Sequence, residues 1–285
     1  MGTDGGPNPP SAHAAHRAPA PGVPILPRGL PEGKEGGAHH DAPLPTLTVI
    51  VAARNEAHRI AAVLQHYRAL VPEAELIVAD GASRDATARE ALPYARVVTG
   101  KGSLGANQNL AAVEATGDVL LFVHADTHLA DVALVQRTMA DAAVVGGAYR
   151  LRFDDDARVY QMMAQRADRR SLAGAYTGDQ GIFVRRSVFQ ALDGFPTWPL
   201  MEDVAFSERL RNQGRVVLLD ANAVTSTRRH KAQGPYRLIG RVMLIRLLYR
   251  FGASPDFLAR LWRRGGDVVP DRLPKAVPTM REREV

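Results

Sequence analysis

Along residues 46–142, short apolar runs alternate with stretches whose apolar positions recur every three or four residues. Residues 46–53 (TLTVIVAA), 75–79 (ELIVA), 95–98 and 119–123 (VLLFV) are short, β-branched and nearly uninterrupted, the pattern of strands buried on both faces. Between and after them, residues 57–70, 85–92, 106–115 and 131–142 carry the helical period. Four βα units in succession predict an α/β fold, a mostly parallel sheet flanked by helices. Beyond residue 144 the pattern loosens. Strands are predicted at 148–153, 181–184 and 215–219, a helix from there to about 170 after the first of them, and further helices at 203–212, 235–251 and 255–262.

Composition trims the folded part to one domain. Residues 1–45 hold 10 of the 19 prolines and 8 of the 25 glycines. Such a segment buries too little apolar surface to fold, so it is predicted to be a disordered tail, either native or an extension from a misplaced start codon. The domain is expected to span 46–267, with a loose tail at 268–285. The chain has no cysteine, which excludes disulfides, thiolate metal sites and a cysteine nucleophile.

The net charge of +6 is unevenly spread, with ten Lys/Arg and one acid, Asp256, in residues 228–264. That segment reads as a solvated basic face. Aromatics make up 6% and do not interleave with the basic residues, so nucleic acid is not an expected partner. Neither a membrane span nor a signal-peptide core is present in the sequence, which points to the cytoplasm. In the helix predicted at 235–251, Arg237 and Arg241 fall near one side and Arg246 and Arg250 near the other, with apolar residues between. The reading preferred is core packing with arginines reaching outward. Peripheral contact with the inner face of the cell membrane is the alternative.

In an open α/β sheet, ligands bind beyond the carboxyl ends of the strands. The first strand ends in Arg54, Asn55 and Glu56, the second in Asp80 and Gly81, the fourth in His124, Ala125 and Asp126. Asp80 could accept from a nucleobase or a ribose, or simply close a βα turn. His124 and Asp126 lie two apart and so share a face of extended chain. Asp126 could hold Mg²⁺ or Mn²⁺ with a diphosphate, and the imidazole could be a second ligand for Mn²⁺. Alternatively, Asp126 caps the next helix. Glu202 and Asp203 open a helix, where acids favour the dipole and where a general base could also stand. Neighbours on a helix point about 100° apart, so Glu202 is not expected to replace Asp203. Gly178, Asp179 and Gln180 read as a plain turn or a polar loop touching a sugar.

Gly100, Gly102 and Gly105 match the G-x-G-x-x-G dinucleotide fingerprint between a strand and a helix. The match follows the third strand, whereas the fingerprint normally follows the first.

Five segments then fall in order: LTVIVAARNEA, IVADGASRDAT, GDVLLFVHADT, GDQGIFVRRSVFQALDGFP and PLMEDVAFSERLRNQGRVVLLD. Together they resemble the family-two inverting glycosyltransferases of the GT-A fold, and most nearly a short bacterial subgroup linked to arsenosugar biosynthesis. The resemblance covers about residues 46–262. It implies that Ala53, Asn55 and Glu56 line a nucleotide pocket and that Asp80 binds the base. It implies that His124, Ala125 and Asp126 stand at the D-x-D metal position, with His124 replacing the first acid. Asp203, beside Glu202, matches the catalytic base. Arg228 and Arg229 match a basic site near the diphosphate, and Asn109 an asparagine of the donor segment. The implied nucleotide half is 46–127 and the acceptor half 128–267. The implied donor is a nucleotide sugar, most plausibly UDP-linked, with Mg²⁺ or Mn²⁺ as cofactor, and the acceptor is a small molecule or a lipid-linked hydroxyl. The alternatives are a nucleotidyltransferase, a nucleotide-binding protein without turnover, and an NAD-type enzyme.

Overall fold

In the computed structural model, which describes residues 25–26 and 43–263, the apolar runs form the middle of one sheet. The elements in chain order are β1 (Ile25–Leu26), β2 (Leu47–Ala53), α1 (Ile60–Leu70), β3 (Glu75–Asp80), α2 (Thr87–Ala91), β4 (Arg96–Thr99), α3 (Leu104–Val113), β5 (Val119–His124), β6 (Thr127–Leu129), α4 (Ala133–Met139), β7 (Val144–Phe153) and α5 (Arg158–Ser171). A 3₁₀ turn (Gly178–Gln180) precedes β8 (Ile182–Arg185), α6 (Arg186–Ala191), α7 (Glu202–Leu210), β9 (Arg215–Thr225), α8 (Arg228–Gln233), α9 (Pro235–Arg250) and α10 (Pro255–Arg263).

The strands are ordered β1-β9-β7-β8-β5-β2-β3-β4, with β6 paired to β9 off this path. β2 is parallel to both β3 and β5, and β3 is parallel to β4. β8 runs antiparallel between β5 and β7. The chain therefore steps outward from β2 to β4 and returns through α3 to β5 on the other side of β2. That reversal is the topological switch point, and a crevice opens beyond the carboxyl ends of β2 and β5.

Both faces of β2, β3 and β5 are buried, which is why they read as apolar runs rather than alternations, whereas β4 at the sheet edge is only partly covered. Val49, Val51, Leu121 and Val123 pack with Ile60, Leu64 and Tyr67 of α1 and with Leu134 and Val135 of α4. The intervening Ile50, Leu120 and Phe122 pack with Ala111 and Ala112 of α3 and with Phe189, Phe195 and Phe206. Each such side chain contributes about 1.5–3 kcal/mol of burial. Phe195 lies edge-on to Phe122 at 4.9 Å and tilted on Phe206 at 4.6 Å, which seats α7 beneath the end of β5.

Several elements differ from expectation. α4 is shorter than 131–142 because Asp131 accepts the N–H of Leu134 at 3.1 Å and starts the helix later. β6, α6 and α8 were not predicted: β6 has three residues, and α8 (RRHKAQ) carries no apolar period. β9 continues to Thr225, past the expected 219. Ile25–Leu26, inside the predicted tail, pair in parallel with Leu218 and Leu219 of β9. The predicted tail at 268–285 lies outside the described residues.

Candidate active site

The ends of β2 and β3 are tied together by a closed polar network. Asn55 takes φ +57°, a left-handed conformation asparagine tolerates. Its Oδ1 accepts the N–H of Arg84 at 2.9 Å, and its own N–H donates to Ser83 Oγ at 2.9 Å. The N–H of Glu56 donates to Thr87 Oγ1 at 2.8 Å, and its carboxylate pairs with Arg59 at 3.0 Å. The carbonyl of Ala53 accepts from Gly81 at 2.9 Å. Asp80, buried, accepts the N–H of Ser83 at 3.2 Å and also its hydroxyl. These bonds close the βα turn that follows β3.

From the other side, β9 delivers Arg228 to this edge. Its guanidinium lies 3.8 Å from Glu56 and 3.2 Å from His58 Nε2. The N–H of Ser226 donates to the carbonyl of Asp126 at 3.3 Å, which joins the ends of β9 and β5. The side chain of Arg229 lies outside the described residues.

The end of β5 is different. Pairing with β8 stops at Phe122 opposite Ile182, so His124 meets the 3₁₀ turn instead of a strand. His124 Nδ1 is 3.2 Å from Asp179 Oδ1. Gly178 packs on the other edge of the ring: a Cβ there would come within 2.6 Å of Nε2, so only glycine fits. Burial pulls the His124 pKa down, but the bond and charge of Asp179, with the charges of Asp126 and Asp203, outweigh it and push it up to about 9. The ring is an imidazolium at neutral pH.

Met201 takes φ +68°, a strained conformation for a side-chain-bearing residue that costs about 1–3 kcal/mol. That turn starts α7 and brings both Glu202 and Asp203 into one pocket of about 230 Å³ with His124, Asp179 and Arg246. Glu202 was expected to point away from the position of Asp203; both line the same pocket. Asp203 Oδ2 accepts the N–H of Gly178 at 2.8 Å and Oδ1 that of Val204 at 2.7 Å. Burial, then the charge of Asp203, push Glu202 up to about 7, against its own backbone N–H and His124.

Two arginines were missed. Arg246, read as reaching outward, lines the pocket beside Val242 and Ile245. Burial lowers its pKa against the pull of Asp203 and Asp179. The spacing 242, 245, 246 is one helix face and was the available signal. Arg170 donates to the Ala175 carbonyl at 3.1 Å and to Gln180 at 3.3 Å. No sequence pattern marks it.

Two expectations need correction. Gln180 has no exposed surface, so it cannot touch a sugar. It donates to Tyr149 O at 3.0 Å and Ser171 Oγ at 2.7 Å and accepts from Thr177, which anchors the turn. Asn109 is not at the strand edge group: its amide donates to Phe195 O at 2.8 Å and accepts from Phe195 N at 2.9 Å, clamping the loop before α7. His124 Nδ1 is engaged by Asp179, and Gly178 packs against Nε2. Ala125 is buried and donates its N–H to Ala52 O at 3.1 Å.

The glycine fingerprint has a packing explanation. Asn107 accepts the Gly102 N–H at 3.1 Å, and a Cβ on Gly105 would meet the Pro196 carbonyl at 2.8 Å. The loop follows β4, at the sheet margin and away from the switch point.

For a divalent cation the fit rests on Asp126. Its carboxylate is half-buried and has no hydrogen bond or ion pair among the described residues. It caps no helix, because β6 follows it directly. Among the described residues no three His, Asp or Glu form a ligand set of their own. One carboxylate suits Mg²⁺ or Mn²⁺ when substrate phosphates complete the shell.

The family model of glycosyl transferase family 2 matches residues 48–192, half of the chain. The chain belongs to glycosyl transferase family 2. No curated protein sequence matches it. Among solved structures, the mannosyltransferase PcManGT from Pyrobaculum calidifontis, in complex with GDP-Man and Mn²⁺, is similar, with a TM-score of 0.55 and 19% identity over 79% of this chain and 70% of that one. S. aureus TarS 1-349 is similar with a TM-score of 0.52 and 20% identity over 68% of this chain and 64% of that one. At such identities the likeness is one of fold, the GT-A arrangement, and the family makes this chain a glycosyltransferase. Among its described residues no helix is long and apolar enough to cross a membrane.

Proposed function

We propose that this glycosyltransferase moves a sugar from a nucleoside-diphosphate sugar, UDP-linked, to an acceptor hydroxyl with inversion at the anomeric carbon. The observation that carries the reading is a pair of carboxylates at the switch point, Asp126 without a partner among the described residues and Asp203 held by backbone N–H groups, both near enough to His124 to raise its proton affinity. The network at Asn55, Glu56 and Asp80 shapes the nucleotide end, and residues 128–267 form the acceptor half. Arg228 supplies positive charge on the diphosphate side. Mg²⁺ or Mn²⁺ held by Asp126 would offset charge on the leaving diphosphate. Asp203 takes the acceptor proton, and the freed oxygen attacks the anomeric carbon. The bond from that carbon to the diphosphate breaks, and the electron pair leaves with the nucleoside diphosphate. Within the family we place the chain nearest the short bacterial subgroup linked to arsenosugar biosynthesis, on its five ordered motifs.

The test is thermal unfolding of the protein with UDP-glucose, UDP-N-acetylglucosamine, GDP-mannose or NAD, each with and without Mn²⁺. Ligands that bind the folded state raise its melting temperature. A rise with UDP-sugars that grows with Mn²⁺ supports the reading. A rise with NAD alone overturns it. Release of pyrophosphate in place of a nucleoside diphosphate would make the enzyme a nucleotidyltransferase.

A further inference from the structure

Helix α9 carries apolar residues on its buried face and on its exposed face alike. Leu238 and Ile245 are buried on its underside, and Ile245 packs with Met201, Val204 and Leu258. Its outer face is a stripe of Tyr236, Gly240, Met243, Leu244 and Leu247, continued by Phe251, all exposed. These positions recur at helical spacing, and Tyr236 and Phe251 are 77% and 79% exposed. Arg237 borders the stripe on one side and Arg250 on the other, both exposed and without hydrogen-bond partners among the described residues. α10 adds exposed Phe257, Arg260 and Arg263 beside it. The sequence reading of these apolar residues as core does not hold for this face.

We infer that the outer face of α9, with α10, docks on an anionic lipid surface, the apolar stripe entering the interface and the arginines pairing with headgroups. Contiguous apolar faces of this size are uncommon on proteins that stay in water. An apolar stripe edged by arginines is the geometry of a helix lying in a membrane interface. Charge decides between lipid and a second copy of the chain. Residues 228–264 hold ten Lys/Arg and one acid, so a two-fold pairing of this region sets arginines near arginines. An anionic surface meets them with opposite charge. The apolar pair Ile25–Leu26 of the N-terminal segment is held on β9. This inference is independent of the donor and the catalytic base.

The experiment is flotation of the full-length protein with vesicles of phosphatidylcholine alone or with about a third phosphatidylglycerol. Flotation with the anionic vesicles, weakened by salt, is expected. Arg237→Gln with Arg250→Gln should weaken it about 25-fold, at about fivefold per arginine. Leu244→Ser with Leu247→Ser should abolish it. All four side chains are exposed, so an unchanged melting temperature checks that the fold survives. No flotation with either vesicle overturns the inference, as does equal binding to both that ignores the arginines. A dimer in light scattering that Leu244→Ser with Leu247→Ser dissociates, with no lipid binding, reassigns the face to a second copy.

Discussion

Two strand ends on either side of β2 treat their acids in opposite ways. At the end of β3, Asp80 is buried and bonded to Ser83, and Asn55, Glu56, Asp85 and Thr87 complete the network around it. At the end of β5, Asp126 has no hydrogen bond or ion pair among the described residues, His124 is pushed up to about 9 and Glu202 up to about 7, and Arg246 lines the pocket without a hydrogen bond among the described residues. The first region holds its shape because its polar groups are satisfied internally. The second leaves charge and hydrogen-bonding capacity for something else to satisfy, the condition expected where a ligand binds and reacts. An acid at a strand end is therefore only a candidate; how its neighbours satisfy it decides whether it is scaffold or site.

That contrast can be broken most sharply at Asp203. Asp203→Asn should lower the initial transfer rate by about 10²–10⁴-fold while donor affinity stays near normal, because the amide cannot take the proton. Asparagine keeps one of the two backbone acceptances, so a stability loss of about 1–3 kcal/mol is the ceiling. A near-normal rate would show that Asp203 only starts α7 and would move the base to Glu202 or Asp179.

Asp126→Ala should next remove the Mn²⁺-dependent part of donor binding, read by calorimetric titration, while unfolding in urea without ligand shifts by no more than about 0.5 kcal/mol. Asp80→Ala should do the reverse on the stability axis, losing about 1–3 kcal/mol as Ser83 is left without its acceptor. If Asp80→Ala leaves stability untouched and abolishes donor binding, the end of β3 belongs to the site and the comparison collapses.

The smallest effect is a pH dependence. Glu202 has a folded pKa of about 7, above the ordinary glutamate value of 4.5, so the folded state holds this proton more tightly. Its contribution to stability is complete below about pH 4.5 and is lost as pH rises through 7. Urea unfolding across that window should show the decline, and Glu202→Gln should flatten it. A variant with an unchanged slope would place the titration elsewhere.

The parallel half was legible because its inner strands are buried on both faces and its helices on one, so each leaves its own period. The candidate site was legible only where chemistry sits at a strand end, as at Asp126, or at a helix start, as at Asp203. Gln180 and Asn109 misled because an amide that ties a loop and an amide that touches a ligand have the same letter. Arg170 was missed because no sequence pattern marks it, and Arg246 because the shared face of 242, 245 and 246 does not say which acids that face meets. The outward apolar face of α9 was read as core for a related reason: apolar spacing shows that a helix has faces, and the neighbours decide which face is covered.

The sequence by itself determined the α/β class, the order of the four βα units and the short list of acids at strand ends, because strand and helix periods and turn residues act over a few positions. Tertiary structure alone decided which partner His124 meets and that Glu202 and Asp203 share a pocket with Arg246. Those outcomes depend on groups more than forty residues apart, as in His124 with Asp179, and on the desolvation that only packing imposes.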